Sequence, residues 1–483
     1  MDTQPVVSAG SPAVKYASLP GPARVPLLGN AHQIRPNVFH QQLEAWARQY
    51  GGRFRFQITS RKFFAITDPE AIASVLRQRP QVFKKGPRLV QVVKDLGFHG
   101  VFSANDDAWR TQRRLVMPGL DPAHLRTYLP AVAAVTDRLR RCWAARAAAG
   151  ESIDLLADLM RYTVDVTTSL AFGQDLNTLE QGDDIAIQKH LNFVFPKLME
   201  RNLAPVDFQH WIKDADTVAH VAALRDAVQG FIARTREQLA QRPELRERPE
   251  NLIQSLVATR DAGGGLTDED VSGNVLTMLL AGEDTTANTL AWMIWLLSVN
   301  RGDLARARQE VDAVVGPHAV PHDLDQLARM DFIDACANEA MRLKPVAPVN
   351  MLQAGEDVVV DGVSVPKGTF VVCVMRPAGM DAARFEDPEA FRPDRWLGGE
   401  GAASGHMFAA KRVVMPFGGG PRLCPGRYLA LAEIKMLMGM LLANFEVEEV
   451  GCGAAEPQER LTLVMAPVGL AMKLRPREAP PAS

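Results

Sequence analysis

PFGGGPRLCPGRYLALAE, Pro416 to Glu433, places an aromatic residue and three consecutive glycines ahead of a single cysteine, Cys424, and a helical run behind it. Glycines before a cysteine let the backbone fold back tightly, so that N–H groups can point at the sulfur. The start of the following helix adds its positive dipole end. A free thiol titrates near about 8.5, and N–H donors, a helix start or a bound metal all favour the thiolate, which is the ligating form. The pattern therefore predicts an anionic ligand at Cys424. The alternative, a buried cysteine packing as a small hydrophobe, describes the other four: Cys142, Cys336, Cys373 and Cys452.

The same segment resembles the haem-binding loop of the cytochromes P450, F-x-x-G-x-R-x-C-x-G, with Phe417, Gly420, Arg422, Cys424 and Gly426 at the fixed positions. The resemblance implies Cys424 as the iron ligand, with Phe417, Arg422 and Gly426 against haem b and O2 as co-substrate. Three more segments carry it, in the family's order. NEAMRLKP (338–345) has Glu339 and Arg342 three apart, on one helix face. Such a pair is usually a solvated feature of little energetic weight. In the family it is buried and tied to an arginine in a P-x-R-[FW] motif, here Pro393, Arg395 and Trp396, which implies a structural triad of Glu339, Arg342 and Arg395.

AGEDTT (281–286) resembles the family's [AG]-G-x-[DE]-T. This implies Ala281 over the haem and Asp284 with Thr285 as the catalytic acid and alcohol. Helical threonines bond preceding carbonyls, and polar neighbours with water can open the ladder, so a local groove is expected here. DAWRTQRR (107–114) matches W-x-x-x-R, which implies that Trp109 and Arg113, with Arg422, reach the haem propionates. The family often adds a basic residue on the first strand after the E-x-x-R helix. This chain has Met351, Leu352 and Gln353 there, leaving that propionate partner unassigned.

The rest of the chain sets the frame. Its 483 residues are 47% hydrophobic and 23% charged, an ordinary globular composition. With 54 basic against 56 acidic side chains the net charge is -2, so no global basic field exists to hold nucleic acid. The first twenty residues lack the charged start and apolar run of a signal peptide, and the most apolar window, Val275 to Val299, is broken by Glu283 and Asp284. These features predict a cytoplasmic protein with no transmembrane anchor, and a monomer. A hairpin is expected over Arg53 to Thr67, helices from Pro69 to Asn300, strands over Asp357 to Val374, and loop from Arg376 to Pro421. Length alone suggests about three domains. With no linker or repeat, one domain over 19–475 is expected, with tails at 1–18 and 476–483. The fold implied is the mainly α cytochrome P450 fold, with small mixed and antiparallel sheets around a buried haem.

The resemblance implies a haem-thiolate monooxygenase that hydroxylates or epoxidises a lipophilic small molecule such as a fatty acid, terpenoid or polyketide-like product. No flavin or iron–sulfur pattern is appended, so electrons are expected from a separate ferredoxin- or flavodoxin-type donor and its NAD(P)H reductase. A proximal patch of Arg412, Arg422, Arg427 and Lys435 is the expected docking face. By family position the pocket is expected from Pro87–Val101, Phe193–Trp211, Leu276–Ala281, Val346–Leu352 and Leu463–Met465. A peroxygenase or rearrangement enzyme of the same fold is the alternative, which the Asp284–Thr285 pair argues against; a haem-binding sensor is a third.

Overall fold

The computed structural model describes residues 13–120, 122–181, 186–204, 208–212, 214–316, 318–398, 410–451 and 455–477. Its axis is a helix from Asp268 to Val299. A capping box starts it: the Thr267 hydroxyl accepts the Asp270 N–H and the Asp270 carboxylate accepts the Thr267 N–H, each at 3.0 Å. Asp268, Glu269 and Asp270 complement the helix dipole there. Nearly all its residues from Val271 to Ser298 are buried, as expected of a helix apolar on all sides. It lies along a second helix, Leu155 to Phe172, capped by the Asp154 carboxylate on the Ala157 N–H at 3.1 Å. The expected opening of the ladder at Thr285 is absent. The Thr285 hydroxyl donates to the Ala281 carbonyl and the Asn288 amide to the Asp284 carbonyl, both at 2.7 Å, so these side chains supplement the backbone bonds and the helix runs unbroken.

The sheets are small and peripheral. The hairpin Arg53–Ile58 with Arg61–Ile66 joins a five-stranded sheet with Phe370–Val374, Val349–Ala354 and Phe83–Lys84, in that order. Phe54, Phe56, Phe63 and Phe64 are buried in it, and alternation along Arg53–Ile58 turns the charged residues outward. Residues 445–450, 471–476 and 153–154 form an antiparallel sheet, and Glu459–Leu461 pairs with Met465–Pro467 as a separate hairpin.

The ends of the chain correct the expected tails. Val14 and Lys15 pair in parallel with Val363 and Ser364, which draws part of 1–18 into the fold. At the other end Pro476 pairs with Phe445, and Arg477 donates to the Asn444 carbonyl from its backbone and to Asp312 from its side chain, because these carbonyls and carboxylates lie at the sheet edge. Among the described residues no helix is long and apolar enough to cross a membrane.

The loop-rich segment after Arg376 is organised by two fully buried side chains. Arg342 meets the Glu339 carboxylate through two bonds of 2.8 and 2.7 Å. Its remaining hydrogens go to the carbonyls of Gly379, Pro388 and Ala390 at 2.7, 2.6 and 3.0 Å. Glu339 also accepts from Arg395 Nε at 3.2 Å, Trp396 Nε1 at 2.8 Å and the Arg392 N–H at 2.9 Å. The pair and Arg395 thus form a hub that satisfies backbone groups no ladder could reach. Part of the expected loop, residues 399–409, lies outside the described residues.

Breaking a buried pair by removing one partner strands the other charge, at a cost of about 3–5 kcal/mol. Glu339→Ala is expected to lower unfolding free energy by about that amount in urea titration; a loss of about 1 kcal/mol or less would show that the pair behaves as a solvated one.

Candidate functional site

The Cys424 loop closes on itself. Gly418 and Gly420 have φ of +75° and +66°, and a Cβ on Gly420 would lie 2.3 Å from the Leu76 carbonyl oxygen, so glycine is demanded twice over. The Cys424 N–H donates to the Phe417 carbonyl at 3.0 Å, and the Leu423 N–H to that of Gly420 at 3.0 Å. Cys424 then stands just before the helix Arg427–Asn444, half-buried, with the Gly426 N–H donating to its sulfur. Burial pushes this thiol above its ordinary range, and the Gly426 N–H with the Arg113 and Arg427 charges only partly offsets the push. The loop supplies the donors, and coordination to a metal deprotonates a thiol outright. Of the other cysteines, Cys336 and Cys373 are buried and Cys142 is half-buried, while Cys452 lies outside the described residues.

A group of cations surrounds the loop. Arg113 donates to the Leu423 carbonyl at 2.6 Å. Arg422 lies 4.8 Å over the buried Trp109 ring and donates to the Ala104 carbonyl, leaving its buried Nε without a partner. Two residues that sequence reasoning missed join them. Arg79, 4% exposed, donates to the Gly419 carbonyl at 2.8 Å. Lys85 stands 4.4 Å over the Phe102 ring, and burial, then the charges of Arg422 and Arg79, push it down to about 7. Burial likewise lowers Arg79 and Arg422 to about 10. Among the described residues none of these four cations has a carboxylate partner within ion-pair distance. Lys85 directly follows the strand Phe83–Lys84, which pairs with Gln353 and Ala354. It stands beside the strand where a base was sought, while Gln353 itself donates to the Gly368 carbonyl at 3.0 Å. A Lys-Lys pair in QVFKKGP reads as solvated, so no local signal could have found it.

On the central helix, Ala281 is exposed and Thr285 half-buried, whereas Glu283, Asp284 and Thr286 are buried. Residues four apart share a face, so Ala281 and Thr285 open one stripe of an otherwise enclosed helix. Burial pushes Asp284 up to about 7. Behind the helix, burial pushes Glu433 up to about 8 against a bond from Thr286.

Asp284 also lines a cavity of about 700 Å³. Of the expected pocket segments, Phe193–Trp211 reaches this cavity through Phe195 and Pro196. The hairpin contributes Thr462 and Ala466, on either side of the expected Leu463–Met465, and Leu156 and Met160 form a wall that was not anticipated. Phe208 and Trp211 are 66% and 70% exposed, so the aromatic content of that segment does not all serve a pocket. The expected docking patch also shrinks. Arg422 turns inward to Trp109, and Lys435 donates to the Leu327 carbonyl at 3.1 Å, while Arg412 is exposed.

These residues fit haem b. A sulfur with an N–H donor would serve as the iron ligand, and the open space in front of Gly426 would leave room for a flat macrocycle. Four cations lacking carboxylates, one with an orphaned buried Nε, suit two propionates. The cytochrome P450 family model matches residues 19–474. The self-sufficient cytochrome P450 monooxygenase CYP505AG1 of Oidiodendron maius is 29% identical over 448 residues, covering 89% of this chain and 39% of that protein. Cytochrome P450 3A6 of Oryctolagus cuniculus is 26% identical over 446 residues, 89% of this chain and 86% of its own. Among solved structures the haem domain of cytochrome P450DA shares the fold, with a TM-score of 0.81 over 95% of this chain and 97% of that one at 24% identity. With that match along nearly its whole length, the chain belongs to the cytochrome P450 family of haem b-containing, O2-using monooxygenases.

Proposed function

We propose that this monooxygenase oxidises a lipophilic small molecule, with Asp284 and Thr285 handling protons and a separate ferredoxin- or flavodoxin-type protein supplying electrons. The observation that carries the reading is the placement of Asp284: a buried carboxyl pushed up to about 7 that also lines a cavity of about 700 Å³. That volume lies within the range of small-molecule pockets, and Leu156, Met160 and Phe195 give it apolar walls suited to a lipophilic guest.

Held at Cys424, haem supplies reductive activation of O2, for which thiolate donation favours O–O cleavage. Trp109, Arg113 and Arg422, joined by Arg79 and Lys85, would fix its orientation by charge-assisted bonds. Asp284 would hold a proton on its carboxyl below about pH 7 and replenish it from the cavity. Thr285, whose hydroxyl hydrogen points to the Ala281 carbonyl, presents its oxygen lone pairs along the stripe it shares with Ala281. It would accept a hydrogen bond there and order the water that carries the proton. The apolar walls would exclude bulk solvent.

For the electron donor, Arg412 and Arg114 are exposed cations, Arg412 preceding the Cys424 loop in the chain and Arg114 directly following Arg113. A negatively charged donor protein would be steered there.

Cys424→Ala is expected to abolish the thiolate signature of the reduced, carbon monoxide-bound spectrum, while Thr285→Ala keeps the signature and raises O2 consumption relative to product. Loss of the signature in Thr285→Ala would reassign that residue to haem binding. Because Asp284 is protonated below about 7 and charged above, the proton-donating form declines as pH rises through that value. Turnover in the wild type is expected to fall from pH 6 to 8, and Asp284→Asn to slow turnover by about a hundredfold and flatten the profile; an unchanged profile would remove Asp284 from proton delivery. Arg412→Glu is expected to slow reduction by an acidic ferredoxin at low salt, with the difference shrinking as salt rises. Equal rates would place the docking face elsewhere.

A further inference from the structure

The hairpin Glu459–Leu461 with Met465–Pro467 forms one wall of the cavity that reaches Asp284. Along its first strand Glu459 and Leu461 are buried and Arg460 is exposed, so alternation sends the two charges to opposite faces. The inward carboxylate is saturated. It takes bonds from His40 Nε2 at 2.9 Å, from Lys344 at 2.7 Å and from Arg376 at 2.6 and 3.0 Å. Burial would raise Glu459, yet these partners outweigh it and hold the carboxyl far below the usual range. Arg376 is gripped in turn by Glu44 at 2.9 and 2.7 Å. Glu459 therefore pins the hairpin on one side and has no capacity left for its neighbour.

Arg460 lines the cavity and has no hydrogen bond or ion pair among the described residues. The other ionised side chain of the lining, Asp154, is committed to capping a helix through the Ala157 N–H. Asp284, pushed up to about 7, is largely protonated under mildly acidic conditions. The walls of the same cavity include Leu156, Met160, Phe195 and Leu470. A largely apolar chamber whose one cation, on a strand, is uncommitted among the described residues complements a molecule with an anionic head and an apolar body. A planar guanidinium favours a carboxylate over a single-point acceptor.

We propose that Arg460 anchors the carboxylate of an amphiphilic substrate, a long-chain carboxylic acid, whose apolar chain lies along the cavity toward Asp284. The inference rests on the monooxygenase reading above and narrows its substrate class. Burial of the chain supplies affinity, and the head group sets orientation and therefore which carbon is presented.

The test uses the full, haem-loaded chain titrated by calorimetry with dodecanoic acid, dodecan-1-ol and dodecylamine. The acid is expected to bind about tenfold tighter than the alcohol, with the amine weakest and the advantage shrinking as salt rises. Arg460→Gln is expected to bring the acid level with the alcohol while leaving alcohol affinity unchanged, and Arg460→Lys to restore part of the preference. Equal binding of acid and alcohol by the wild type, or an acid preference that survives in Arg460→Gln, would overturn the anchor. Calorimetry reads binding whatever the iron's ligation, so a missing thiolate signature would overturn the monooxygenase reading alone, and the ranking of the three ligands would still decide the role of Arg460.

Discussion

The buried pairing of Glu339 with Arg342 is the interaction on which the path of the chain after Arg376 depends. A helix can bury one face by packing, but the segment after Arg376 has little ladder of its own, and unpaired backbone carbonyls are costly away from water. Arg342 meets that demand by donating to three of those carbonyls, and Glu339 neutralises it while holding Arg395 and Trp396. Three of its guanidinium hydrogens thus replace sheet or helix bonds that the irregular backbone could not make. The loop can therefore be irregular in path and fixed in position.

Around the Cys424 loop positive charge is concentrated. Arg79, Lys85, Arg113 and Arg422 are all pushed downward by burial, a direction that records the cost of keeping their charge there. A dianionic cofactor relieves that cost, so its binding energy adds to the stability of the fold. The same logic governs the hairpin wall, where Lys344 and Arg376 converge on Glu459 and the outward neighbour, Arg460, remains uncommitted among the described residues. Charges that share a partner become scaffold, and charges left without one become candidates for a ligand.

Much of this was legible in the chain because it is written locally. Three consecutive glycines before a cysteine, an acid and an arginine three apart, and an acid–alcohol pair inside an apolar run are all short patterns. Each is set by the conformational or chemical needs of neighbours in sequence. The hairpin over Arg53 to Ile66 followed in the same way from alternation. What escaped were residues whose role depends on partners far away. Lys85 reads as half of a solvated pair until the fold places it beside Arg422 and Arg79. Val14 and Lys15 read as tail until Val363 and Ser364 provide an edge. Phe208 and Trp211 read as pocket until the fold turns them outward.

The sequence by itself determined the family, the sulfur that would hold the iron, and the residues that brace the segment after Arg376, because backbone geometry and i,i+3 or i,i+4 neighbours are fixed by local order. Only the tertiary structure decided the state of the charges. Burial lifts Asp284 to about 7, drops Lys85 to about 7 and saturates Glu459 beside an uncommitted Arg460. Desolvation and Coulomb interaction depend on what surrounds a group in space, and no spacing along the chain encodes that.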